Sequence, residues 1–282
     1  MNLPGPAEIL QRSGHRADKR LGQHFLLDPS ILDRIVAAAG PLEGRTVLEI
    51  GPGPGGLTGA ILRAGVARLV AVERDRRWIE ALAPLVEAAD GRLQVVAGDA
   101  LQFDPATVSA EGTITVIANL PYNISTPLLF HLLDQRHRFD RLVLMFQKEV
   151  AERLTARPGT GGWGRLAAMT QWTCQVDYLF KLPKGAFTPP PEVESAVVRL
   201  APRPQPAHPC DEHILATVLG AAFGQRRKML RQSLKPLVRE PAALLQSIGI
   251  DPARRAETLD LAEFAGIANA LAAARMADPA DA

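Results

Sequence analysis

Asn119-Leu120-Pro121-Tyr122 brings together an amide that does not ionise, a backbone carbonyl held ahead of a proline, and an aromatic face. Those three groups suit an exocyclic amine on a nucleobase, a poor nucleophile because its lone pair is delocalised into the ring. If the Asn119 side-chain oxygen and the Leu120 carbonyl accept its two N–H bonds, the nitrogen is driven toward a tetrahedral form with its lone pair aimed at a methyl donor. Tyr122 can stack on the same ring, worth about 1 to 3 kcal/mol per base. No general base is called for, since a sulfonium donor is already cationic and leaves as a neutral thioether. The bland alternative is a polar turn that closes a strand, and such a turn need not assemble all three groups.

The run Glu49-Ile50-Gly51-Pro52-Gly53-Pro54-Gly55-Gly56 stands where a strand turns into a helix. Gly51, Gly53 and Gly56 nominally satisfy the G-x-G-x-x-G fingerprint, and Glu73 lies about 20 residues on, as that fingerprint expects of a ribose-binding acid. Pro52 and Pro54, however, remove two backbone N–H groups from the loop that would have to donate to a pyrophosphate, and no Lys-Ser/Thr pair follows. A nucleoside without phosphates is the better fit, and S-adenosylmethionine has that chemistry. Glu73 and Asp99 both follow strands and fall at the carboxyl edge of the sheet beside the loop, one placed for ribose hydroxyls and the other for an adenine amino group. A strand-to-helix turn that merely uses glycine, and an Asp99 that merely caps a helix, are the structural alternatives.

Elements that could position these groups are legible in the apolar pattern. Short Val-, Ile- and Leu-rich runs at 46–50, 69–72, 93–96, 114–118 and 142–146 read as parallel strands covered on both faces. Helical patterns over 56–63, 77–87 and 126–133 separate them, and strands at 176–180 and 195–200 flank a proline-rich stretch as a hairpin-type ending. The expected fold is α/β: a Rossmann-like doubly wound domain, mostly parallel with an antiparallel edge, plus a small all-helical C-terminal domain.

Residues 201–210 hold four prolines, which deny the backbone helix and central-strand geometry, so the boundary is placed there, giving domains 1–205 and 206–282. Beyond it, Leu219, Phe223, Leu230 and Leu234 form one side of a helical pattern, with Arg227, Arg231 and Lys235 spaced by four beside them. Pro236, Pro241, Gly249 and Pro252 are expected to end short helices. Six basic residues and no acidic one lie between Gly224 and Arg239, a block that is either a solvated face or a polyanion contact. Four glycines between Arg157 and Gly164 predict a mobile loop whose Trp163 caps a pocket or packs on the sheet edge.

Composition narrows the classes. With 282 residues, 47% apolar and 22% charged, the chain can bury a core, and its net charge of +2 does not by itself announce a nucleic-acid partner. Two cysteines, Cys174 and Cys210, are too few for a disulfide framework or a zinc ribbon, and the six histidines show no metal spacing, so no metal is expected. No long apolar run occurs and residues 1 to 20 carry no signal-like segment, so an intracellular, cytoplasmic protein without a membrane partner is expected.

Six blocks in order carry a family resemblance: Leu21 to Leu26, the Glu49 to Gly53 loop, Asn119 to Pro127, Gln147 to Val150, Phe187 to Val198, and Phe223-Gly224-Gln225-Arg226-Arg227-Lys228. Over nearly its whole length the chain resembles the small-subunit (16S) rRNA adenine-N6 dimethyltransferases, the kasugamycin-sensitivity family. The resemblance implies two methyl groups transferred from S-adenosylmethionine to each of two adjacent adenosines in the 3′-terminal hairpin loop of 16S rRNA, on an assembling 30S subunit, by an enzyme expected to be a monomer. It implies cofactor contacts from His24, Leu26, Gly51, Gly53, Glu73, Asp99 and Asn119. Family members often carry Asn where this chain has His24. By the same resemblance Asn119, Leu120 and Tyr122 act on the target base, with Phe187 stacking opposite Tyr122. Arg226, Arg227, Lys228, Arg231 and Lys235 are the expected RNA contacts. Rival readings are the 23S rRNA dimethyltransferases of macrolide resistance, a catalytically silent RNA-binding assembly factor, and a nicotinamide dehydrogenase, the last disfavoured by the loop prolines.

Overall fold

The computed structural model describes residues 3–18, 21–109 and 112–277. Helix α1 (Pro6–Ser13) starts on a proline that needs no N–H partner and stops at Gly14, whose φ of 63° only glycine adopts freely. A short strand β1 (Phe25–Leu26) leads to α2 (Pro29–Ala37), capped by Asp28, which accepts from the Ser30 and Ile31 N–H groups. The alternating region follows as β2 (Thr46–Ile50), α3 (Gly56–Arg63), β3 (Arg68–Glu73), α4 (Arg76–Ala81), α5 (Ala83–Ala88), β4 (Leu93–Ala97), β5 (Ile114–Asn119), α6 (Ser125–Asp134) and β6 (Phe139–Gln147). The helix expected over 77–87 is two helices. Pro84 sits in the first turn of α5 and cannot supply the N–H that would continue α4.

After β6 come α7 (Lys148–Leu154), α8 (Arg165–Thr173), β7 (Cys174–Leu182), β8 (Phe187–Thr188) and β9 (Ser195–Pro202). Among the described residues, seven strands form one sheet in the order β4-β3-β2-β5-β6-β9-β7, and β1 pairs separately with β8. Neighbours from β4 to β6 are parallel, while β9 lies antiparallel to β6 with Gln147 opposite Ser195. The antiparallel edge is present, with the later strand β9 inserted inside β7. Val47, Leu48, Val116, Ile117, Val143 and Leu144 are fully buried, which explains why the central strands read as continuous apolar runs.

Two compact units emerge: Met1–Ala151 with Asp177–Pro202, and Glu152–Val176 with Arg203–Ala282. The chain therefore crosses between units three times rather than once near residue 205. The reason lies in contacts that composition does not show. The Trp163 indole N–H donates to the Leu259 carbonyl at 2.9 Å, and Trp172 Nε1 donates to the His208 carbonyl at 2.7 Å, tying α8 and the loop before it to the C-terminal helices. Trp163 is fully buried and bonded to Leu259, so the loop expected to be mobile is anchored through its tryptophan.

The helical unit continues with α9 (Glu212–Gly224), α10 (Leu230–Ser233), α11 (Pro241–Ser247) and α12 (Leu261–Ala277). Asp260 and Glu263 cap α12 reciprocally, each side chain accepting from the other's backbone N–H. The continuous basic helix expected from Arg227 to Lys235 is broken. The Leu230 and Arg231 N–H groups donate to the Arg254 and Pro252 carbonyls instead of to the preceding turn, leaving α10 four residues long. Leu230 and Leu234 are buried as anchors all the same. Pro241 opens α11 rather than ending a helix.

Candidate active site

Strand ends and the turns after them build a cavity of about 120 Å³ at the carboxyl edge of the parallel strands. Gly51 and Gly53 come from the turn after β2, Glu73 from the end of β3, Asp99 from the turn after β4, Asn119, Leu120 and Tyr122 from β5 and its continuation, and His24 from the segment before β1. Residues far apart in the chain thus share a wall.

Three N–H groups of the glycine turn are already committed within the protein. Its Gly51 N–H goes to the Val72 carbonyl at 2.9 Å, its Gly53 N–H to Glu73 Oε2 at 3.1 Å, and its Gly55 N–H back to the Pro52 carbonyl at 2.9 Å, while Pro52 and Pro54 have none. Gly53 is required on two counts: its φ is 51°, and a Cβ there would meet the Phe25 ring at 2.9 Å. A carboxylate facing the turn repels an anion and welcomes a hydroxyl donor. The second Glu73 oxygen accepts the Asp75 N–H at 2.8 Å. Burial raises the Glu73 pKa, and the N–H groups of Asp75 and Gly53 work against that shift.

Asp99 ion-pairs with the exposed Arg74 at 3.3 Å and accepts the Leu101 N–H at 3.0 Å, so it does cap its turn while lining the cavity. Arg74, also on the wall, was missed because a lone arginine after a strand carries no sequence signal. Glu49 carries no signal of its own in the sequence beyond its place before the loop. It is 1% exposed, its Oε2 has no hydrogen-bond partner among the described residues, and burial, with Glu73 nearby, pushes its carboxyl up to about 8.

Asn119 donates its amide Nδ2–H to the His24 carbonyl at 2.8 Å. A carbonyl can only accept, so the amide orientation is set and the side-chain oxygen is left as the acceptor. Tyr122 is fixed at its far end, its hydroxyl bonded to Ser195 Oγ at the start of β9. Its pKa is raised by burial.

His24 lies on the main cavity wall, where its ring stacks on Tyr122 and its Nδ1 donates to the Pro189 carbonyl at 2.8 Å. Two expected placements differ. Leu26 is 4% exposed and lines a smaller cavity of about 30 Å³ with Glu49 and Gly56, not the main one. Phe187 is 3% exposed, lies in β8 opposite Leu26, and belongs to the apolar core, so its ring offers no face to a base in this conformation.

In the helical unit, Arg227, Lys228, Arg231 and Lys235 are exposed. Arg226 is different. It pairs with Glu257 at 3.0 Å and donates to the Gly161 carbonyl at 2.9 Å, which makes it a strut for the glycine-rich loop.

Residues 14–273 match the family described as ribosomal RNA adenine dimethylase. A ribosomal RNA small subunit methyltransferase A of Rhodopseudomonas palustris is 50% identical over 277 residues, covering 97% of this chain and 96% of that one. The protein of the same description from Rhodospirillum rubrum is 50% identical over 272 residues, covering 96% and 94%. Among solved structures, a dimethyladenosine transferase from Plasmodium falciparum is similar at a TM-score of 0.74 and 28% identity, covering 86% of this chain and 96% of that one. The 23S rRNA methyltransferase ErmE has a TM-score of 0.69 at 23% identity over 88% and 99%, a likeness of fold alone.

Proposed function

The chain belongs to the ribosomal RNA adenine dimethylase family, and from that premise we propose that it dimethylates N6 of two adjacent adenosines in the 3′-terminal hairpin loop of 16S rRNA, using S-adenosylmethionine. It is an rRNA adenine dimethyltransferase. The proposed setting is the assembling 30S subunit in the cytoplasm, with the protein acting as a monomer and without a membrane partner. Among the described residues no helix is long and apolar enough to cross a membrane.

The observation that carries the reading is the Asn119 amide, turned by the His24 carbonyl so that its oxygen is the acceptor, on the same wall as Glu73 and Asp99. S-adenosylmethionine, when bound, supplies a methyl group on a positively charged sulfur. Glu73 suits its ribose, since each carboxylate oxygen has a lone pair beyond the N–H it already accepts. Asp99 suits the adenine amino group, and Gly51 and Gly53 let backbone approach the ligand. On the substrate side, the Asn119 oxygen and the Leu120 carbonyl take the two N–H bonds of the target amine, which localises its lone pair. Once the S–CH3 bond breaks and the N–CH3 bond forms, the positive charge is on nitrogen, whose now strongly acidic proton passes to water. Tyr122 stacks on the base, and exposed Arg227, Lys228, Arg231 and Lys235 meet rRNA phosphates. In this division the sheet unit holds cofactor and base while the helical unit grips RNA.

Incubating the protein with labelled S-adenosylmethionine and 30S particles from a strain lacking the modification tests the reading. Primer extension should stop at two adjacent adenosines near the 3′ end of 16S rRNA. Label found in 23S rRNA, or none at adenine, would overturn it.

A further inference from the structure

His24 makes three contacts with two separate stretches of chain, the 119–122 run on the cavity wall and Pro189. Its ring lies on Tyr122 with centroids 5.6 Å apart and planes 26° from parallel. Its Nδ1 must be the donor to the Pro189 carbonyl at 2.8 Å, because that oxygen can only accept. Its own carbonyl takes the Asn119 amide at 2.8 Å. The neighbouring segments are close as well. A Cβ on Gly22 would stand 3.2 Å from Asn123 Oδ1 and 3.7 Å from the Tyr122 N, and β1 pairs with β8 directly after His24.

Tyr122 has two ring faces; the bond from its hydroxyl to the buried Ser195 holds the far end of the ring axis, and the stacked His24 imidazole sets the plane of the ring. An imidazole stacked on one face leaves a flat base the other. We propose that His24 is a positioning residue for the target base: by covering one face of Tyr122 and anchoring to Pro189, it confines the target adenine to the opposite face and so registers the N6 amine with the Asn119 oxygen. The inference rests on the adenine-methylating reading above. A side chain serving only the cofactor needs neither the tyrosine stack nor the proline carbonyl. The same linkage makes Asn119 and Tyr122 one unit, because His24 bonds the first through its backbone and holds the second through its ring.

The experiment compares the parent with His24→Ala, His24→Asn and His24→Phe. Fluorescence of 2-aminopurine, substituted for one target adenosine in reconstituted 30S particles, reports stacking. Methyl transfer to unsubstituted particles reports rate, and calorimetry reports S-adenosylmethionine affinity. The parent should quench the probe, and His24→Phe, which keeps a ring on Tyr122, should keep most of the quenching. His24→Ala and His24→Asn should lose it and slow transfer by about tenfold to a hundredfold, the scale of a misplaced reacting group, with cofactor affinity within about twofold of the parent. Parent-like quenching and rate in His24→Ala would overturn the inference. So would a loss of cofactor affinity that accounts for the loss of rate. Absence of N6 methylation by the parent itself is a separate result, and it removes the functional reading rather than the role of His24 within it.

Discussion

The Gly53 N–H donates to Glu73 Oε2 across the mouth of the glycine turn at 3.1 Å, so the loop that in a dinucleotide site would face a pyrophosphate is already committed to an acid. Selectivity follows directly. S-adenosylmethionine should bind, NAD should not compete, and Glu73→Ala should weaken cofactor binding by about 1.5 to 3 kcal/mol, the value of a charge-assisted hydrogen bond. Calorimetric titration with each ligand checks both points, and tight NAD binding would refute the assignment.

Asn119 donates its Nδ2–H to the His24 carbonyl, which leaves its side-chain oxygen to accept. Asn119→Ala should lower the methyl-transfer rate by about 10² to 10³, the usual effect of removing one preorganised polar partner. Asn119→Asp should fare no better, since a carboxylate cannot donate to His24 and sets two acceptors against each other. Single-turnover rates at saturating rRNA make the measurement, and near-parent turnover in either variant would mean that the residue is structural.

The buried Glu49 should make stability fall as pH rises. An unfolded carboxyl ionises near 4.5 and the buried one near 8, so between those values the folded state keeps a proton that the unfolded chain has lost. The stabilisation is complete below the lower value and disappears as pH climbs through the upper one, by up to about 1.4 kcal/mol per pH unit. Glu49→Gln removes the titration. Thermal melts of the cofactor-free parent and variant should diverge between about pH 5 and 8 and run parallel above; a constant gap across that range would contradict the assignment.

Arrangements built from contiguous residues were legible in the sequence. Asn119 to Tyr122 and the glycine turn carry their chemistry in adjacent positions, and Glu73 and Asp99 follow from where parallel strands must end. What the sequence concealed depends on partners far along the chain. The resemblance implies a stacking role for Phe187, whereas β8 pairs with β1 and turns its ring into the core. Arg226 looks like its neighbour Arg227 until Glu257 and the Gly161 carbonyl claim it. The basic row looks like one helix because spacing by four is a local signal, whereas the break comes from hydrogen bonds between 230–231 and the 252–254 turn. Trp163 shows the same limit: four nearby glycines suggest mobility, and a single indole bond to Leu259 opposes it.

That break refines the electrostatic expectation for the helical unit. Arg227, Arg231 and Lys235 no longer share a helix face, yet all three remain exposed while Leu230 and Leu234 pin the segment beneath them. Each phosphate neutralised contributes about 0.7 to 0.9 to the slope of log affinity against log salt. Replacing the three with Gln should flatten that slope by about two units or more and leave S-adenosylmethionine binding at the sheet unit unchanged. Arg226→Gln should act differently. Its guanidinium is already engaged by Glu257 and Gly161, so the slope should hardly move, while the 157–162 loop should exchange its backbone protons faster. Filter binding to 30S particles across salt concentrations, together with hydrogen exchange on the Arg226 variant, separates the two roles. Parallel slopes for the triple variant and the parent would make the basic segment a solvated surface only, and a slope change from Arg226→Gln equal to that of an exposed neighbour would return it to the phosphate contacts.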